Sequence, residues 1–159
     1  MRIPLIIFLL FQSILTFCQH SSERIEKLKL KLADSDSIIL VSYDDVNNSN
    51  EISPILDNGK LNLSSVHEKK VIDHKSLNKL LDILSAPFKQ AEDAASCFMP
   101  HHAIILVRRN VYSSVEICFQ CRQIRTSPDV ELTNYDLDRN KWRQLKLYFK
   151  KAGFKYELE

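Results

Sequence analysis

CFMPHHAIILVRRNVYSSVEICFQC, running from Cys97 to Cys121, holds two apolar, β-branched runs on either side of Arg109-Asn110. Short runs of this kind bounded by turn residues are strands, and Asn tolerates the positive φ of a tight turn. The segment therefore predicts a β-hairpin over about residues 102–119. Side chains alternate across a strand, so Ile104, Leu106, Val115, Ile117 and Phe119 share one face, which must be the core face. Tyr112, Ser114 and Glu116 fall on the other, and the pattern leaves open whether solvent or another element meets them.

The hairpin also gathers sulfur at its open end. A two-residue turn sets Cys118 opposite His101 and Cys121 opposite Phe98; a three-residue turn sets Cys97 directly opposite Cys121. Directly opposed positions can approach the Cβ separation of about 3.5–4.5 Å that a disulfide needs. Exported domains commonly use such bridges, so the expected pair is Cys97–Cys121, with Cys118 left over. The alternative is a structural zinc site built from Cys97, Cys118, Cys121 and either His101 or His102. Against it, zinc knuckles carry Gly beside the C-x-x-C, where this chain has Phe119, Gln120 and Arg122. A third reading is a thiol–disulfide oxidoreductase using Cys118 and Cys121. Such enzymes lower the first thiol's pKa at a helix N-terminus, whereas here the motif ends a strand and Arg122 to Pro128 carries no helix signal.

The same residues carry a resemblance. Cys97-x-x-Pro100-x-His102, followed by a strand, a turn and Glu116-Ile117-Cys118-Phe119-x-Cys121, resembles a pattern in small exported or lipid-anchored bacterial proteins of unassigned function. It covers this central segment alone and lacks the Gly expected in the turn. The resemblance implies a secreted or envelope domain and supplies no activity.

On the C-terminal side, Trp142, Leu145, Phe149 and Ala152 form the apolar stripe of a helix. Thr133 and Asp136 offer its cap, Lys150 and Lys151 suit the negative end of its dipole, and Gly153 closes it. On the N-terminal side, Leu77, Leu80, Leu81 and Leu84 mark another helix, with Asp73 or Ser76 as cap and Pro87 beyond its end. Ser37 to Tyr43 is a buried strand, Asp44 to Asn50 is turn chemistry, and Asn58-Gly59 precedes a second strand at Leu61 and Leu63. Ile25, Leu28 and Leu32 step like a helix, although Leu28, Leu30 and Leu32 also alternate like a strand. Strands interspersed with helices make this α+β: a small antiparallel sheet containing the central hairpin, packed with two or three helices.

The chain opens with Arg2 and an almost wholly apolar stretch from Ile3 to Phe17. A membrane span needs about 20 apolar residues, so this run suits a signal peptide rather than an anchor. Thr16 and Cys18 supply the small side chains of a cleavage site between Cys18 and Gln19. A lipid anchor on Cys18 is disfavoured, because Phe17 stands where a small residue is needed. Residues 1–18 are thus expected to be removed, leaving residues 19–159 as one domain, exported to the periplasm or secreted, with no transmembrane span.

A formal charge of +2 for the full chain argues against nucleic-acid binding, which needs a basic surface to displace phosphate counterions. With two glycines in all, no phosphate-cradling loop can form, and no G-x-S-x-G or H-E-x-x-H occurs. His67 and His74 read as surface histidines. The expectation is a non-enzymatic exported domain that meets another protein or an envelope partner, stiffened at the cysteine end of its hairpin. It calls for no cofactor, zinc belonging to the alternative reading.

Overall fold

The Arg109-Asn110 turn forms with two residues, both at positive φ (49° and 63°), in a computed structural model that describes residues 22–44, 55–89, 95 and 97–158. It joins β5 (His102–Arg108) to β6 (Val111–Cys118), with His102 opposite Ile117 and Arg108 opposite Val111. Asp36 anchors the turn by accepting the Arg109 N–H at 2.6 Å. In chain order the remaining elements are α1 (residues 22–33), β1 (Ser37–Tyr43), β2 (Leu56–Asp57), β3 (Lys60–Leu61), β4 (Val66–Val71), α2 (His74–Ser85), β7 (Gln123–Thr126) and α3 (Arg139–Ala152).

The five longer strands make one antiparallel sheet in the order β4-β1-β5-β6-β7, while β2 and β3 form a separate two-stranded hairpin. This is an α+β fold. All three helices lie on one face: Ile25, Leu28 and Leu32 of α1, Leu80 and Leu84 of α2, and Trp142, Leu145 and Phe149 of α3 pack on Leu40, Ile104, Leu106, Val115 and Ile117. The ambiguity over α1 is resolved by Leu30, which is 71% exposed while Leu28 and Leu32 are buried, as a helix requires and a strand does not.

The other face is covered too. Val41, Tyr43, Ala103, Ile105 and Val107 form a second apolar cluster with Ile55, against which Leu56 and Leu61 of the small hairpin pack. Tyr112 joins this cluster, and Ser114 and Glu116 are buried. The small hairpin turns at Asn58 and Gly59, both at positive φ, but its second strand stops at Leu61; Leu63 begins a 3-10 turn and is exposed.

Two expectations about caps and strands change. The Thr133–Asp136 capping box closes a 3-10 turn at Asn134–Asp136, and the true N-cap of α3 is Asp138, which accepts the Lys141 N–H at 2.9 Å. Besides closing that box, Asp136 takes a bidentate bond from Arg24 of α1 at 2.7 to 3.2 Å, tying the first helix to the loop before the last. Residues Gln123–Thr126, which carry no helix signal, form the edge strand β7. The expected signal segment, with its Cys18/Gln19 junction, and most of the Asp44–Asn50 loop lie outside the described residues.

Candidate functional site

The chemistry-bearing side chains converge at one end of the sheet, where β1 and β6 finish and β4 and β5 begin. The sulfur there is paired differently from the expectation. The disulfide joins Cys118 to Cys121, with Cα atoms 5.5 Å apart, and Cys97 is a free, exposed thiol. The bridge in the structure is therefore not the expected Cys97–Cys121. The reason is that β6 ends at Cys118 and the chain turns back at once, so that Cys118 pairs with Gln123 of β7. A four-residue turn brings its first and last Cα within about 7 Å, so Cys118 and Cys121 bracket it at bonding distance. Arg122 takes positive φ (52°) to complete the reversal. Both sulfur-bearing residues are buried, at 3% and 2% exposure.

The zinc set is not assembled. Cys118 and Cys121 are spent on each other, Cys97 stands outside, and the two histidines diverge. His102 is 1% exposed, packed against the rings of Phe119 and Phe149 with centroids 5.1 and 5.3 Å away. His101 is half-buried, with Nδ1 3.3 Å from the Tyr43 carbonyl and its ring edge-on to Tyr156. Among the described residues, no group of three or more His, Cys, Asp or Glu is placed to hold a metal ion.

A polar row accompanies the sulfur. Ser42 of β1 stands between its register partners Glu68 of β4 and His102 of β5. Ser42 donates its hydroxyl to Glu68 at 2.7 Å, and the Glu68 carboxylate also accepts the backbone N–H groups of Lys155 and Tyr156 at 3.0 and 3.3 Å. Burial raises the Glu68 pKa, yet these hydrogen bonds outweigh it and leave the carboxyl below its ordinary value. His102 Nε2 has no hydrogen-bond partner among the described residues. Burial pushes the His102 pKa down to about 4, against an opposing pull from the Tyr156 backbone and Glu68.

Above the row, the segment after α3 is strapped across the sheet end. Tyr156 stacks on His67 with centroids 4.1 Å apart and donates its hydroxyl to Asp44, whose other oxygen meets His67 Nε2 at 2.9 Å. The Tyr156 bond is the main reason that the Asp44 pKa is lowered. His67 read as a simple surface histidine, and nothing in its charged neighbourhood signalled this role; only the fold brings Asp44, His67 and Tyr156 together.

On the opposite face, Glu116 accepts the Tyr43 hydroxyl at 2.8 Å and both arms of Arg125 at 3.1 and 2.6 Å. The Arg125 guanidinium lies over the Phe98 ring, 5.1 Å from its centroid. Glu68, Asp44, Glu116 and Arg125 thus each hold one piece of chain to another. No helix among the described residues is long and apolar enough to cross a membrane. No protein-family model, curated protein or solved structure matches the chain.

Proposed function

We propose that this is an exported, non-enzymatic domain of the cell envelope or the secreted fraction, which meets a protein or envelope partner and uses Cys118–Cys121 as a structural staple. The observation that carries this reading is the bridge itself: a disulfide buried in a tight turn persists in an oxidising compartment and not in the cytosol. The apolar run Ile3–Phe17 behind Arg2 supplies the route to such a compartment.

The side chains at the sheet end support the non-enzymatic part. Ser42 gives its hydroxyl to Glu68 rather than to His102, so the three do not stand as nucleophile, base and orienter. A thiol oxidoreductase presents its first sulfur to solvent at a helix N-terminus, whereas here that sulfur is buried at the end of a strand. The zinc reading requires the reduced protein, since bonded sulfurs are not thiolates.

The test is export. A full-length chain with a C-terminal tag is produced in a bacterial host, fractionated, and its N-terminus sequenced. Recovery outside the cytosol with Gln19 first supports the proposal; cytosolic protein retaining Met1 sinks it. Insulin reduction lost on Cys118→Ser would replace it with the oxidoreductase reading.

A further inference from the structure

Three cysteines, one bridge and one free thiol share this corner, and the chain around Cys97 is pinned to the bridge's own turn. The Ala95 N–H donates to the Cys121 carbonyl at 3.1 Å, and the Ala95 carbonyl accepts from the Gln123 side chain. On the other side of Cys97, the Phe98 ring lies under Arg125 of β7. Cys97 therefore sits between two anchors, both of which land on residues 121–125. Its thiol is exposed, while the bonded sulfurs are buried.

The two bonded sulfurs are not equivalent. Cys118 Sγ accepts the Cys121 N–H at 3.2 Å. A hydrogen bond to sulfur strengthens as the sulfur gains negative charge, so Cys118 is the better leaving thiolate. Cys121 is then the sulfur open to attack.

We infer that the three cysteines form an internal exchange centre, in which the bridge moves between Cys118–Cys121 and Cys97–Cys121. The Cys97 thiol gives its proton to solvent and its thiolate bonds to Cys121 Sγ. The Cys118–Cys121 bond breaks, and its electron pair leaves on Cys118, which takes a proton from solvent. One disulfide and one thiol stand on each side of the step, so no oxidant or reductant is consumed. The turn at residues 119–122 opens to admit the thiolate. The consequence is a change in the reactive thiol, from exposed Cys97 to Cys118 at the end of β6. This rests on the bridged, exported reading above.

Trypsin makes the two forms distinguishable, because it cuts after Lys89, Arg109 and Arg122. Cys97 then lies on one peptide, and Cys118 and Cys121 together lie on another. Mature protein is held at acid pH, shifted to pH 8, sampled over time, alkylated with N-ethylmaleimide and digested without reduction. The expected result is loss of label from Cys97, matched mole for mole by label on Cys118 and by covalently joined peptides, at a rate independent of protein concentration. Label confined to Cys97 at every time, or joined peptides only in dimers, overturns the exchange while leaving the structural bridge intact. Three labelled cysteines at the start overturns the bridge and the proposal together. As a second arm, Cys118→Ala should close Cys97–Cys121 in air, and two free thiols in that variant count against it.

Discussion

Acidification from pH 7 to pH 5 should weaken the fold through one residue, His102. Its imidazole is 1% exposed, its Nε2 has no partner among the described residues, and its pKa is pushed from 6.5 down to about 4. Above pH 6.5 neither the folded nor the unfolded chain protonates it, and its contribution to stability is fully present. As the pH falls from 6.5 towards 4, the unfolded chain takes up a proton that the folded chain refuses, so stability is lost. Linkage between those two values gives a loss of about 2 kcal/mol by pH 5 and about 3 kcal/mol by pH 4. The carboxyls held below their ordinary values, Glu68, Asp44 and Asp129, act in a lower window, because their contribution disappears only as the pH falls through the carboxylate range. The interval from pH 6.5 to 5 therefore lies above the carboxylate window, and a His102 variant separates the share of any decline there that belongs to His102. Urea unfolding at pH 7, 6 and 5 reads it as a midpoint falling by about 1 M, taking a slope of about 2 kcal/mol per molar. His102→Phe, which keeps a ring between Phe119 and Phe149, should flatten that fall. A midpoint unchanged between pH 7 and 5, or the same decline in the variant, would show that His102 is not the group responsible.

Two further outcomes follow from the packing. The bridge spans a sequence separation of three, so closing this loop contributes only about 2 kcal/mol by chain entropy; Cys118→Ala with Cys121→Ala should lower the melting temperature yet leave the circular dichroism native. A loss of folding on removing both sulfurs would show that the cross-link carries far more of the fold than its loop-closure entropy. Asp136→Ala removes the fully buried partner of Arg24 and the acceptor for the Thr133 N–H, and calorimetry should register a loss of about 3–5 kcal/mol. A loss under about 1 kcal/mol would mean that α1 is tied down by its apolar face alone.

The hairpin and the apolar stripes of α2 and α3 were legible in the sequence, because hydrophobic period and turn chemistry are local properties, whereas the turn's length, two residues or three, stayed open. The core face of β5 and β6 followed from alternation alone. Cysteine pairing was not legible, because it depends on where β6 stops. No Gly or Pro marks the reversal after Cys118, and Arg122 adopts positive φ without advertising it. In the register of the two-residue turn, a strand continued to Cys121 would face Phe98, and only a three-residue turn would set that sulfur across from Cys97. The C-x-x-C spacing itself, which fits the ends of a four-residue turn, was the signal that could have corrected this. Asp136 shows a similar limit: its sequence neighbours suggest a cap, while its half-buried partner Arg24 lies 112 residues away. The Asp44–His67–Tyr156 contact at the sheet end joins β1, β4 and the segment after α3, and only long-range packing creates it.

Whether this is an exported domain stapled at Cys118–Cys121 is decided by peptide mapping of the exported protein, alkylated at acid pH without reduction, alongside metal analysis. The expected result is a looped peptide containing Cys118 and Cys121, a labelled Cys97, no stoichiometric zinc and no peptide from residues 1–18. Three labelled cysteines with one bound zinc per chain would contradict it.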